Sequence, residues 1–374
     1  MSLDPAQLAA PGVRGIQPYQ PGKPTSELER ELGLTGTVKL ASNESPLGPP
    51  ESALAALRDA AGELARYPDG NAYALRRRLA ASLDVAPEQI TLGNGSNDVL
   101  VLLAEAFLQP GLSAVYSRYS FAVYALAVQA TGATAHVADA LPPDHPEQPL
   151  GHDLDALADA LAADTRLVYI ANPNNPTGTW VGPGALRAFV HRVPETTLVV
   201  VDEAYCEYLR GRDYASALPW LAECPNVVVT RTFSKAWGLA GLRVGYAVSS
   251  PEIADVLNRI RQPFNVNAAA QAAAEAVLDD ADYLERALAI NAEGMAALRA
   301  TAADLGLRVG PDGGNFLLVD FGRDAAPIYQ GLLEQGVIVR PVAGYGLPGY
   351  LRISIGTPAE MARLDTALRK VVGG

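Results

Sequence analysis

Cysteine and histidine are scarce in this chain of 374 residues, which holds two of the first, Cys206 and Cys224, and four of the second. Two cysteines cannot staple a chain of this length, so a disulfide framework is excluded and a reducing, cytoplasmic setting is expected. His136, His145, His152 and His191 show no close ligand spacing, and no metal site is expected. Positive charge is also short: 29 Lys and Arg stand against 41 Asp and Glu, a net charge of −12. A nucleic-acid partner wants a basic face and is not expected. The longest apolar runs, such as 198–201, are strand-length, far below the roughly 20 residues of a membrane span, so no membrane partner is expected either. Met1-Ser2-Leu3-Asp4-Pro5 has no basic stretch leading into an apolar one, and no secretory signal is expected.

What is present is apolar residue in quantity, 49% of the chain, enough for a sizeable core. The length favours two or three domains, or one large α/β domain with a smaller one. Residues 1–45 are rich in proline and glycine (Pro11, Pro18, Pro21, Gly22, Pro24) and read as an irregular N-terminal arm. Composition and apolar spacing predict a helix over 51–65. From 90 to 249 a βα rhythm follows, with strands predicted at 90–92, 114–116, 133–137, 167–171, 198–202, 227–231 and 244–248. These are apolar runs without alternation, separated by helical patterns, which argues for a mostly parallel sheet covered by helices on both faces. Helices are predicted at 251–261, 268–279 and 282–305. Strands at 315–321, 337–340 and 351–355, with helices at 325–335 and 358–372, then suggest a small C-terminal α/β domain. The expected division is an arm over 1–45, a large domain over 46–280 and a small one over 281–374.

The run Thr232-Phe233-Ser234-Lys235, followed by Gly238, Gly241 and Arg243, carries the most chemistry. A lysine amine can form an imine with a carbonyl cofactor, while neighbouring hydroxyls and a guanidinium can hold a phosphate. Ser-Lys ahead of a Gly-rich, apolar stretch is a poor place for a solvated surface charge. Asp202 ends a strand of valine and leucine, where a carboxylate needs a cationic partner; a protonated pyridine nitrogen would serve, and so would a role in capping the next turn. Tyr205, three residues on, reads either as a donor to a cofactor oxygen or as a core tyrosine. Asn175 lies in Asn-Pro-Thr-Gly, which by composition is a plain turn. Gly93-Asn94-Gly95-Ser96-Asn97 runs from a strand into a helix, a place where backbone N–H groups gather an anion. It lacks the third glycine of a dinucleotide fingerprint, because Asp98 stands there. Gly95, Ser96 and Asn97, helped by Thr232, Ser234 and Arg243, therefore read as a phosphate cup. Tyr119 is expected to open a helix after a strand, stacking on a cofactor ring or simply packing in the core.

Taken in order, these pieces resemble the histidinol-phosphate aminotransferase family, in the class-II-like branch of the fold-type I pyridoxal-phosphate (PLP) aminotransferases. The resemblance spans nearly the whole chain. It includes Pro18-Tyr19-Gln20-Pro21-Gly22-Lys23, Leu40-Ala41-Ser42-Asn43-Glu44, Arg66-Tyr67-Pro68-Asp69-Gly70, the Gly93 to Asp98 turn, and Asn172-Pro173-Asn174-Asn175-Pro176-Thr177-Gly178. Asp202-Glu203-Ala204-Tyr205, Thr232 to Gly245, Val339-Arg340-Pro341 and Leu351-Arg352-Ile353-Ser354 complete it. It implies PLP on Lys235, Asp202 under the pyridine nitrogen, Tyr205 and Asn175 at the ring oxygen, and Tyr119 over the ring. It also implies a homodimer with shared sites, in which Tyr67 reaches the neighbour's cofactor phosphate and Tyr19 lines the neighbour's substrate pocket. Arg352 would clamp an α-carboxylate, for which a planar guanidinium is suited. Arg340 would meet a second anion, and Asn43 matches a position near the substrate. Departures are Ser45 for a usual asparagine, Ser117-Arg118-Tyr119 for Pro-Thr-Tyr, and Trp237 for tyrosine or phenylalanine. The implied reaction is amino transfer between histidinol phosphate and 2-oxoglutarate in histidine biosynthesis. An aromatic aminotransferase acting on phenylalanine or tyrosine is the alternative; a decarboxylase of phosphothreonine on the same fold is a further one.

Overall fold

The computed structural model describes residues 4–18 and 22–373. In chain order its strands are β1 (Val38–Lys39), β2 (Ile90–Gly93), β3 (Ser113–Ser117), β4 (Thr134–Ala138), β5 (Thr165–Ala171), β6 (Leu198–Asp202), β7 (Val227–Thr232), β8 (Gly245–Val248), β9 (Arg308–Val309), β10 (Phe316–Asp320), β11 (Val337–Ile338), β12 (Arg340–Pro341) and β13 (Tyr350–Ser354). Among the described residues they form three sheets: a seven-stranded one ordered β2-β8-β7-β6-β5-β3-β4, a four-stranded one ordered β12-β13-β10-β9, and the pair β1-β11.

In the large sheet only β8 runs against its neighbours β7 and β2; the others pair in parallel. Successive side chains of a strand point to opposite faces, which explains the unbroken apolar runs 167–171 in β5, 198–201 in β6 and 227–229 in β7. Val168, Ile170, Val199, Val201, Val227 and Val229 enter one core. Leu167, Tyr169, Val200 and Val228 enter the other. Leu75 and Leu79 of helix Tyr73–Leu83 and Phe189 of helix Pro183–Arg192 pack into the first core. Helices Ser96–Phe107 and Ala122–Thr131 cover the second face. Full burial of each such Leu, Val or Phe stabilises by about 1.5–3 kcal/mol relative to leaving it in water. The carboxyl ends of β3, β5, β6 and β7 lie along one edge of this layer, where ligands of open α/β sheets gather.

The four-stranded antiparallel sheet packs its own core: Leu317 and Val319 of β10 and Leu351 and Ile353 of β13 meet Met295 and Leu298 of the long helix Ala281–Asp304 and Leu364 of helix Pro358–Val372. The predicted strand 337–340 is split between sheets. Val337 and Ile338 pair with Val38 and Lys39, whereas Arg340 and Pro341 pair with Arg352 and Leu351.

Other differences from the sequence reading have simple causes. The arm is not irregular throughout: Thr25–Leu32 is a helix ended by Gly33 in the left-handed region (φ +66°), and Leu28 is buried with Ala41, Leu333 and Ile338. The helix predicted to reach 65 ends at Ala60 and tightens into a 3₁₀ turn over Ala61–Glu63. Helix Tyr73–Leu83 has no counterpart in the sequence reading. No described helix is long and apolar enough to cross a membrane.

Candidate active site

A cavity of about 520 Å³ opens at the carboxyl edge of the large sheet and is closed on one side by 41–43 and by β12 and β13. Lys235, Asp202, Tyr205 and Asn175 line it together with Asn43, Arg340 and Arg352. So do Ser96, Asn97, Thr232, Ser234 and Arg243. Gly95, Tyr119 and Tyr67 are not among the lining residues, and Tyr19 lies outside the described residues.

Lys235 follows β7 by three residues, on a turn fixed by the buried side chains of Phe233 and Ala236. Its Nζ donates to the main-chain oxygen of Ser42 at 3.1 Å. Burial lowers its pKa to about 7, with the Arg352 guanidinium adding to the effect; an amine so placed is largely neutral near physiological pH.

Asp202 is 5% exposed. Oδ2 accepts from the Tyr124 hydroxyl at 2.8 Å and Oδ1 from the Thr230 hydroxyl at 3.0 Å. Burial still pushes its pKa up, because these neutral donors only partly replace water. Thr230 is its register partner on β7. Tyr124 comes from helix Ala122–Thr131, its ring stacked on Tyr169 with centroids 4.7 Å apart. The next residue, Glu203, forms a buried ion pair with Arg231, whose Nε and Nη2 lie 3.0 and 2.8 Å from Oε2. The ends of β6 and β7 are thereby tied together, and removing one partner of such a pair costs about 3–5 kcal/mol.

Tyr205 lies between the two sheets, its ring edge-on to Phe316 at 5.4 Å. Its hydroxyl accepts from Asn43 Nδ2 at 2.9 Å, and burial pushes its pKa up to about 12. Arg352 donates from Nη1 to Asn175 Oδ1 and from Nη2 to the carbonyl of Ala41 at 2.6 Å. Asn175 sits in a loop whose Asn172-Pro173 and Asn175-Pro176 bonds are both cis.

The helix that begins at Ser96 presents its amino end to the cavity, with Gly95 at φ +85°. Arg243 crosses over this turn: Nη1 donates to Ser234 Oγ at 3.1 Å and Nη2 to the Asn94 carbonyl. A Cβ on Gly95 would collide with that guanidinium, and one on Gly245 with the Ser96 amide nitrogen. Backbone N–H groups, hydroxyls and a guanidinium thus converge on a cup that suits an anion. At the other end of the cavity lies the desolvated carboxylate of Asp202, and between them stands an amine whose pKa is lowered to about 7. A protonatable ring bearing an aldehyde and a phosphate matches this donor set.

Tyr119, expected over the ring, and Tyr67, expected at a neighbour's cofactor, are not part of this chain's cavity lining. Tyr119 does not open a helix, which begins at Ala122. Its carbonyl accepts from Asn174 Nδ2 at 2.7 Å, its ring packs against the cluster of Leu150 and Val342, and Phe121 lines the cavity together with Tyr205. Tyr67 is 82% exposed and stacks on Phe264 with centroids 4.7 Å apart.

Residues 35–368 match the family described as aminotransferase class I and II. The chain belongs to that aminotransferase family. Within it, the chain is 56% identical over 367 residues to histidinol-phosphate aminotransferase 2 of Pseudomonas fluorescens (strain Pf0-1), covering 98% of this chain and 97% of the relative. It is 55% identical to histidinol-phosphate aminotransferase 2 of Pseudomonas aeruginosa, covering 98% of each. Among solved structures, histidinol-phosphate aminotransferase of Sinorhizobium meliloti in complex with PLP superposes with a TM-score of 0.88 at 34% identity, covering 97% of both chains. The aminotransferase fold is therefore fold-type I, as the sequence pieces implied.

Several residues at this aminotransferase site have roles that no sequence pattern announces. Tyr124 and Thr230 hold Asp202, and Ser42 supplies the carbonyl that receives Lys235. Ser354 binds Asn43. Thr230 could have been found from the parallel pairing of β6 and β7; no local pattern marks Tyr124.

Proposed function

We propose that this aminotransferase uses PLP to exchange an amino group between histidinol phosphate and 2-oxoglutarate, in histidine biosynthesis. One observation carries the reading: two arginines, Arg340 and Arg352, line the same cavity as Lys235 and Asp202. Glutamate and 2-oxoglutarate each carry two carboxylates, which two clamps can serve, and histidinol phosphate carries one phosphate, which one of the same clamps can take. The names of the relatives support the same substrate.

PLP, when bound, supplies an electron sink for charge developing at the substrate's Cα. Lys235 Nζ, held by Ser42 and with its pKa lowered to about 7, would hold the cofactor through its aldehyde and move a proton at the substrate's Cα. Asp202 would keep the ring nitrogen protonated. Tyr205 and Asn175 would orient the ring oxygen, while Arg243, Ser96, Asn97, Thr232, Ser234 and the Gly95 turn would hold the phosphate. Arg352 would bind the α-carboxylate and Arg340 the distal anion, with Asn43 and Tyr19 beside the substrate and Tyr119 near the ring.

The proposal includes a homodimer. Its support is the exposed Tyr67–Phe264 pair, an aromatic surface that a second copy could cover while Tyr67 reaches that copy's cofactor. The seven-stranded sheet within residues 90–248 and the four-stranded one within 308–354 support a division into large and small domains near residue 280, and the arm to residue 45 joins the small domain through β1 and β11. The two free thiols, Cys206 and Cys224, support a reducing, cytoplasmic location.

Parallel assays with histidinol phosphate and phenylalanine, each with 2-oxoglutarate, test the substrate. A kcat/KM favouring histidinol phosphate is expected; one favouring phenylalanine replaces the proposal with the aromatic alternative.

A further inference from the structure

Asn43 has φ +54°, a left-handed conformation that is uncommon outside glycine, although asparagine tolerates it better than most residues. It is only 1% exposed, so its polar atoms need partners inside the protein. Ser354 provides two of them. The Asn43 amide N–H donates to Ser354 Oγ at 2.9 Å, and the Ser354 hydroxyl donates to Asn43 Oδ1 at 2.7 Å.

The directions follow from what each group is able to do. A backbone N–H only donates, so Ser354 Oγ accepts there and must send its single proton to the other partner. That partner must accept, which makes it the amide oxygen of Asn43. Turning the amide over would set two donors against one hydroxyl and strand the hydroxyl proton. The amide nitrogen is therefore the atom that faces Tyr205, and it donates to the phenol oxygen at 2.9 Å. Tyr205 consequently accepts from Asn43 and keeps its own proton for an acceptor in the cavity.

Ser354 lies two residues beyond Arg352 on β13 and so shares its face of the sheet. Ser354 also donates its own N–H to the Leu40 carbonyl, while Arg352 donates to that of Ala41. The strand that carries the arginine thus also sets the segment 40–43.

We infer that Ser354 is a positioning residue for the reaction: acting through Asn43, it commits Tyr205 to donate its hydroxyl proton toward an anionic oxygen in the cavity. This rests on the reading that the cavity takes PLP, whose ring oxygen is that acceptor. A donor at the ring oxygen favours its anionic form and lowers the pH at which the bound cofactor's absorbance titrates. Without the clamp, Asn43 can turn and take up the phenol's proton, and that effect is lost.

The experiment is a spectral pH titration of the holoenzyme as wild type, Ser354→Ala, Tyr205→Phe and the double variant, with thermal melting of each. Ser354→Ala is expected to raise the titration midpoint by about half a unit to one unit. Tyr205→Phe should raise it at least as far, and the double variant should match Tyr205→Phe alone, since both changes act through one contact. A coloured Ser354→Ala enzyme that melts early but titrates at the wild-type midpoint overturns the inference. So does a Ser354→Ala shift that persists undiminished in the Tyr205→Phe background. Should Ser354→Ala fail to fold, Asn43→Ala enters the same cycle and is judged by the same two results. A wild-type protein that takes up PLP without any titrating absorbance instead removes the reading beneath it.

Discussion

Asp202→Asn changes the charge of the buried acid while nearly preserving its shape, and the structure allows its consequences to be worked out separately for the empty and loaded protein. In the empty protein, Asp202 accepts from Tyr124 and Thr230 at 2.8 and 3.0 Å. A carboxamide has one acceptor oxygen, so the hydroxyl that faces its NH2 group must accept instead of donate and its own proton loses its acceptor, at a cost of about 1–3 kcal/mol. Against this, the desolvation that pushes the Asp202 pKa up no longer penalises a charge. The two effects oppose each other, and the melting temperature of the apoprotein should move little. In the loaded protein the cationic ring nitrogen loses its partner. Breaking a buried pair from one side costs about 3–5 kcal/mol, and with about 1.36 kcal/mol per tenfold kcat/KM should fall by roughly two to three and a half orders of magnitude. Glutamate formation from histidinol phosphate and 2-oxoglutarate measures the fall, and melting of apoprotein and holoprotein measures the rest. A variant that binds PLP and loses less than about tenfold refutes the ion-pair argument; an apoprotein that collapses refutes the claim of opposing effects.

Lys235, with its pKa lowered to about 7 by burial, gives a pH dependence with a definite sign. The neutral amine is the nucleophile, so the rate at which apoprotein gains the cofactor's absorbance should rise about tenfold per pH unit below about pH 7 and level off above it; a profile still climbing at about pH 9 contradicts the lowered value. Because the unfolded lysine titrates near 10.5, the unfolded state binds more protons between about 7 and 10.5, and the apoprotein should gain stability across that window, as denaturant melts at several pH values would register. Gly245→Ala would drive a Cβ into the Ser96 amide and the Arg231 carbonyl, backbone atoms that cannot swing aside. A loss of about 1–3 kcal/mol of stability and weaker PLP uptake, measured by melting and by equilibrium binding, are expected, and unchanged PLP affinity would show that the cup tolerates the shift.

The large sheet was legible because parallel strands covered on both faces are apolar at every position, and β5, β6 and β7 stand out as such runs. Helix Tyr73–Leu83 was missed because Arg76, Arg77 and Arg78 hide its buried stripe, although Leu75 and Leu79 keep the four-residue spacing. Proline content similarly masked the helix at Thr25–Leu32, whose single buried residue is Leu28. At the site, residues in tight motifs came together in the cavity: Lys235, Ser234 and Thr232 on one turn, Ser96 and Asn97 on another. Tyr124 escaped because its partner Asp202 lies 78 residues away, a distance that only tertiary packing closes. Ser354 escaped for the same reason, with 311 residues between it and Asn43. The resemblance places Tyr119 over the ring while its spacing leaves core packing equally open, because spacing alone cannot tell a ring that faces a cavity from one that turns into the neighbouring cluster.

The short parallel pair of β1 and β11 has a consequence for how the protein is made. Val38 and Lys39 leave the ribosome well before Val337 and Ile338, the residues they pair with. The strands of the large sheet, all within residues 90–248, can assemble while translation continues. The segment carrying Ser42 and Asn43 must meanwhile wait, its apolar Leu40 and Ala41 uncovered, until β11 arrives to receive it. A nascent chain can therefore possess its finished central layer and still be inert, with competence acquired only once that distant strand has been made.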